Sequence, residues 1–208
     1  VHEEKITFRD LSEYENVDFQ GFRGDIYVKE AIIPEGASVI PKSQFFECRS
    51  LEKVYLPESV SGIEDYAFAD CHVLKVWESI EKLSLKSVGI SAFENCYALE
   101  FVSLPDSLTV IGGAAFAECV SVNKLIFSDT SLLKKIGDHA FRGCRNLKEV
   151  YLPDSVEYVG VSAFRDCSSL EQISVSEKIK NQPGIAELEK NCPNARIRFR
   201  EVNSVEKE

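Results

Sequence analysis

Ser91-Ala92-Phe93-Glu94-Asn95-Cys96 decides the fold, because versions of this stretch return along the whole chain. Aligned on its last residue, SQFFEC ends at Cys48, YAFADC at Cys71, AAFAEC at Cys119, HAFRGC at Cys144, SAFRDC at Cys167 and a degenerate LEKNC at Cys192. All seven cysteines of the 208-residue chain occupy this slot, and their positions differ alternately by 23 and 25 residues. A period of that length marks stacked repeats, each too small to bury its own apolar face, that share one continuous core.

Counting outward from each cysteine, the residues three further on are Leu51, Leu74, Leu99, Val122, Leu147 and Leu170. Six on stand Val54, Trp77, Val102, Leu125, Val150 and Ile173; eight on stand Leu56, Ser79, Leu104, Phe127, Leu152 and Val175. Apolar residues two apart are the signature of a short strand with one buried face. Each repeat returns its strand in the same direction, so neighbouring strands should pair in parallel, with the connections forming an opposite wall. A second apolar spot, at Ile63, Val88, Ile111, Ile136 and Val159, lies in that wall, followed by the AFxxC stretch, which suits a single helical or 3₁₀ turn with Phe and Cys inward. The two extra residues of alternate repeats fall between strand and AFxxC and are expected to be absorbed in the outer wall without disturbing the sheet.

Residues 1–26 read as an N-terminal cap, 27–181 as the repeats, and 182–208 as a C-terminal cap and tail, all in one continuous solenoid. The alternation of Ile197 and Phe199 with arginines predicts an edge strand whose charges discourage further pairing. With 34 acidic and 24 basic residues the chain carries a net charge of −10, which argues against nucleic acid and anionic membranes as partners. No apolar run approaches the length of a membrane span. The chain contains no methionine; the expectation is that a signal peptide has been removed from a secreted or cell-surface protein.

The pattern LxxVxLPxSVxxIxxxAFxxC, as in Leu51 to Cys71 and Leu147 to Cys167, resembles the leucine-rich repeats of the BspA-like type over roughly residues 28–200. That resemblance implies an α/β leucine-rich-repeat solenoid, a right-handed horseshoe of seven to eight rungs. One parallel β-strand per repeat lines the concave face, and short turns or helical turns form the convex one. It also implies a surface or secreted protein with a role in adhesion. VLKVWESI departs from the pattern: either Trp77 fills the space vacated by Ser79, or the strand slips so that Val76 points inward.

Seven regularly spaced cysteines admit disulfide, metal or catalytic readings. Zinc sites need clustered pairs, which are absent, and a catalytic thiol needs a positioned histidine, whereas His2, His72 and His139 fall in unrelated contexts. The cysteines are therefore read as small buried hydrophobes, and no catalytic residue, metal ligand or cofactor is assigned. A carboxylate follows each strand: Glu35, Glu58, Glu81, Asp106, Asp129, Asp154 and Glu177. Such a row could bind Ca²⁺ or a basic partner, but acidic residues also serve turns locally, and that reading is preferred.

The residues that vary freely are those on the outward side of the strands: Lys53, Val76, Phe101, Lys124, Glu149 and Gln172 in one row, and Tyr55, Glu78, Ser103, Ile126, Tyr151 and Ser174 in the other. Constant core slots beside a variable outer face are what a solenoid binding surface looks like. The expected function is a non-catalytic module that binds a protein or peptide, host or extracellular, ahead of a glycan, with a structural spacer as the alternative. A contiguous apolar patch on the concave sheet favours binding; a uniformly charged sheet favours the spacer.

Overall fold

The computed structural model describes residues 5–7, 22–79 and 83–201. Two kinds of strand alternate along the chain. The longer ones are β1 (Lys5–Thr7), β2 (Glu30–Ile32), β4 (Lys53–Leu56), β6 (Val76–Ser79), β8 (Phe101–Ser103), β10 (Lys124–Ile126), β12 (Glu149–Tyr151), β14 (Gln172–Ser176) and β15 (Arg196–Arg200). Between them lie two-residue strands, β3 (Val39–Ile40), β5 (Gly62–Ile63), β7 (Ser87–Val88), β9 (Val110–Ile111), β11 (Lys135–Ile136) and β13 (Tyr158–Val159). All pairings are parallel. The second apolar spot of each repeat is thus itself a strand: Ile40, Ile63, Val88, Ile111, Ile136 and Val159 face the core from an unbroken six-stranded outer sheet.

The AFxxC stretch closes each rung as a turn. Within it, Cys96 N–H donates to the Phe93 carbonyl, and the same bond recurs between Phe and Cys in every intact repeat. A continuous helix is prevented because the residues five and one before the cysteine, such as Ser91 (φ 52) and Asn95 (φ 61), or Ala114 (φ 52) and Glu118 (φ 57), take left-handed backbone. Between rungs, Phe93 N–H donates to the Ala115 carbonyl at 2.7 Å and Asn95 N–H to Ala117 at 2.9 Å. The turn wall is therefore laddered as the sheets are, and its backbone is satisfied despite burial.

Inside this frame run two columns of side chains. Phe22, Phe45, Phe68, Phe93, Phe116, Phe141 and Phe164 form one stack of rings with centroids 5.1 to 5.7 Å apart, close to the spacing of paired strands. Beside them, each cysteine thiol donates to the carbonyl of the preceding rung's phenylalanine, as Cys96 Sγ does to Phe68 at 3.2 Å and Cys119 Sγ to Phe93 at 3.1 Å. Phe22 stacks on Phe45 and takes the hydrogen bond of Cys48, so the column begins in the turn where Asp25 stands in the cysteine slot. At the other end the helices α1 (Pro183–Ala186) and α2 (Leu188–Asn191) replace the turn and bury Ile185 and Leu188.

The sheet of longer strands does not run unbroken. It divides into β1-β2-β4-β6 and β8-β10-β12-β14-β15, and β10 meets β12 at the single pair Lys124↔Glu149, where β8 and β10 match over three. Both weak junctions follow 25-residue repeats, contrary to the sequence expectation, but the third such repeat, from Cys167 to Cys192, leaves β14 and β15 matched over five residues, so added length alone does not break the sheet. The physical difference is the strand exit. The shorter repeats leave through Leu56-Pro57, Leu104-Pro105 or Leu152-Pro153, and Leu104 and Leu152 N–H groups donate to Ile126 and Ser174 of the next rung. The longer repeat after β10 leaves through Phe127-Ser128, and no bond joins Phe127 N–H to Tyr151, whereas in the last long repeat β14 runs on through Val175-Ser176 and keeps its pairing with β15. At Trp77 the backbone keeps register, Lys53↔Val76, Val54↔Trp77 and Leu56↔Ser79, so the strand has not slipped.

Candidate interaction face

A parallel strand with one face in the core offers the other to solvent, and only residues at every second position reach it. On this outer side Lys53, Phe101, Ser103, Lys124, Ile126, Glu149 and Tyr151 are exposed, with Tyr55 and Gln172 half-buried. The side chains of Val76 and Glu78 lie outside the described residues. Ser174 does not belong to the open face: it is 2% exposed, covered by Arg200, whose Nη1 donates to its Oγ at 3.0 Å. The sequence pattern missed this because the cover comes from the cap strand, the next rung, which does not follow the repeat rule.

Phe101, Ile126 and Tyr151, 45%, 38% and 52% exposed, stand on the adjacent strands β8, β10 and β12. Lys124 is paired with both Phe101 and Glu149, and Ile126 and Tyr151 each follow two residues later on the same face. The three form one oblique apolar strip. Gln172 Nε2 donates to the Tyr151 hydroxyl at 2.8 Å, which fixes the ring at the edge of the strip. Below it, the missing Phe127–Tyr151 bond opens a cleft of about 420 Å³ between the fifth and sixth cysteine-bearing rungs, lined by Phe127, Asp129, Tyr151, Asp154 and Arg200 among others. The signal for this cleft was in the sequence: Ser128 replaces the proline that ends the strand in the shorter repeats.

Three of the six described carboxylates of the row are used locally. Asp106 accepts from the hydroxyls of Ser128 and Thr130, Asp154 pairs with Arg200 at 2.8 Å, and Glu177 with Lys180 at 2.5 Å. Glu81 lies outside the described residues. Among the described residues, no group of three or more His, Cys, Asp and Glu side chains is placed to hold a metal ion.

The cysteine column offers little reactivity. Burial drives every thiol upward, Cys48 to about 12 and Cys192 to about 11, and Cys96 and Cys144 well above the ordinary thiol value. A nucleophilic cysteine requires the thiolate, whereas these are protonated donors to carbonyls. His72 stacks on Tyr97 at 4.7 Å with Nε2 3.6 Å from Asp70, and His139 sits in a left-handed turn position of another rung.

Comparison with known proteins agrees with this architecture. The family model for the BspA type leucine rich repeat region matches six copies across residues 15–131 and 86–190. A leucine-rich repeat protein from Bacteroides ovatus superposes with a TM-score of 0.61 at 22% identity over 91% of this chain and 64% of its own. The pneumococcal vaccine antigen PcpA gives 0.58 at 28% identity over 73% of this chain and 37% of its own. A leucine rich cell surface protein from Faecalibacterium prausnitzii gives 0.52 at 23% identity over 88% and 62%. This chain therefore spans under two thirds of the length of each of these relatives. No curated protein matches it significantly. Among the described residues, no helix is long and apolar enough to cross a membrane.

Proposed function

The chain belongs to the BspA type leucine-rich repeat family, and from that premise we propose that it is a non-catalytic binding module of a cell-surface or secreted protein, which engages a protein partner through its concave sheet. The observation that carries the reading is the strip of Phe101, Ile126 and Tyr151, exposed together on three adjacent strands. Repeats of this family typically form binding or surface scaffolds without enzymatic chemistry. A spacer needs no such strip, since a polar outer face would keep the same core. Tyrosine and phenylalanine on an otherwise charged sheet are the composition of an interface centre.

The test is capture of extracellular host and bacterial proteins on the immobilised chain, with the double variant Phe101→Ala, Tyr151→Ala as the control. Both side chains are about half exposed, so the variant should melt within about 2 °C of the parent while losing the partner. Capture that survives the double substitution refutes the proposal and returns the chain to the spacer reading.

A further inference from the structure

We infer that the partner seated on this strip carries a cationic side chain, an arginine above all, which enters the cleft beside Tyr151 and is held by Asp129. The inference rests on the binding reading above and specifies its ligand chemistry.

The chain itself shows how this lip holds a guanidinium. Arg200 reaches back from the cap strand, and its Nη2 donates to the Leu152 carbonyl at 2.5 Å and to Asp154 Oδ1 at 2.8 Å. Its Nη1 reaches the carbonyl of Ser174 at 3.4 Å and its hydroxyl at 3.0 Å. The acceptors are thus a strand-exit carbonyl, the carboxylate two residues on, and a carbonyl of the next rung. A planar fork of donors fits such a set.

One rung back, the repeat places the same set: the Phe127 carbonyl, Asp129 and the Tyr151 carbonyl. Here it is vacant. Asp129 is exposed and makes no hydrogen bond or ion pair among the described residues. The Tyr151 carbonyl also lacks the cross-rung bond that the Ser174 carbonyl receives from Leu152 at 3.0 Å. Two rungs back the set is already used, because Asp106 takes the hydroxyls of Ser128 and Thr130. Of these three rungs, the Asp129 position alone combines an unpaired carboxylate, an open carbonyl and a cleft, with the aromatic rings of Phe127 and Tyr151 on its walls.

Desolvation selects the occupant. A partner covering Phe101, Ile126 and Tyr151 also shields Asp129, and shielding a carboxylate without an opposite charge is strongly unfavourable. A basic side chain reverses that sign, gains the ring faces as cation–π contacts, and suits a chain of net charge −10. An acidic or neutral segment gains none of this.

Fluorescence anisotropy of the full chain with three labelled nine-residue peptides tests the inference: three Arg-Leu-Gly units, and the same peptide with Gln or with Glu in place of Arg. The Arg peptide should bind about tenfold or more tighter than the Gln peptide, and Asp129→Asn should remove about that factor. Glu35→Gln removes one carboxylate from the same row, far from the strip, and should leave the affinity within about twofold. Equal losses from the two variants would mean generic attraction to an acidic surface and would overturn the site. Equal affinity for the Arg and Gln peptides would also overturn it, leaving the apolar reading intact if Phe101→Ala still weakens both. Absence of Arg-peptide binding up to about 1 mM would likewise sink the cation pocket, and the capture experiment above decides the apolar strip independently.

Discussion

Gly112→Ala should unzip the middle of the solenoid. Glycine recurs at the outer corner as Gly89, Gly112, Gly137 and Gly160, where a Cβ would stand only 2.3 to 2.6 Å from atoms of the neighbouring rung. At Gly112 those atoms are the Gly89 carbonyl carbon at 2.5 Å, its oxygen at 2.6 Å and Ile90 N at 2.7 Å. All three are backbone and cannot swing aside. Restoring ordinary contact requires the rungs to part locally by about 0.9 Å. That displacement stretches Gly112 N–H to Val88, 2.8 Å, and strains its neighbours Thr109 N–H to Lys86, 2.9 Å, and Ser91 N–H to Gly113, 2.8 Å. With three bonds weakened at about 1 kcal/mol each, and about 0.5 kcal/mol regained from the stiffer unfolded chain, the net loss is about 2.5 kcal/mol. For a chain of this size that lowers the melting temperature by about 5–10 °C. Gly62→Ala in the same outer sheet is the internal control, since its Cβ would meet Ser87 Oγ and Val39 Cγ1 at 3.5 Å, and it should hold or raise the melting temperature. Thermal denaturation followed by circular dichroism reads both. A Gly112→Ala transition within about 2 °C of the parent, or a Gly62→Ala drop of equal size, would refute the close-approach reasoning.

Two further outcomes follow from the interior columns. Phe116 lies between Phe93 at 5.1 Å and Phe141 at 5.5 Å and is fully buried, so Phe116→Ala should cost about 3–5 kcal/mol, whereas Phe22→Ala, at a side chain only partly buried, should cost clearly less; chemical denaturation that ranks them equal would contradict the buried stack. Alkali should melt the fold through the thiols. Burial raises them in the folded state, so their stabilising effect is complete below the unfolded value of 9.0 and is lost as pH climbs from there toward the folded values. The unfolded chain alone ionises in that window, and Cys96, Cys119 and Cys144 together remove about 4 kcal/mol by pH 10. Cys119→Ala should shallow the decline between pH 9 and 10 by about one proton's worth, and a flat stability curve over that interval would contradict it.

Much of this was legible because repetition turns one chain into its own alignment. The cysteine slot located the phenylalanine stack, and the alternation at Val54 and Leu56 located the strand, since burial on one side of a period-2 element leaves a mark in every copy. The outer sheet was not read as a strand, because two residues such as Val110–Ile111 are too few to show alternation. The glycine corner went unread for a different reason. It reports a backbone approach between rungs, not a side-chain preference within one, and Glu64 holds the slot in an earlier copy. Ser174 was misplaced because its cover, Arg200, belongs to the cap and obeys no repeat. The strip residues Phe101, Ile126 and Tyr151 were legible in type, but their adjacency depended on the register Lys124↔Phe101.

The departures from the repeat also explain why a site can exist at all on such a scaffold. A perfect array presents the same face at every rung and so has no preferred place for a single partner. Here the shorter and longer units alternate, and the long unit that contains β10 lacks both the Leu-Pro exit and the strand bond of its shorter neighbours. The opening after Phe127 lies under exposed Ile126 and Tyr151 and beside Asp129, which has no partner among the described residues. Regular rungs on both sides, from Phe93 to Phe164, hold that opening rigid through the core. On the proposed binding reading, specificity arises where the variable outer face meets the interrupted ladder between β10 and β12, which provides a recess that a flat sheet lacks.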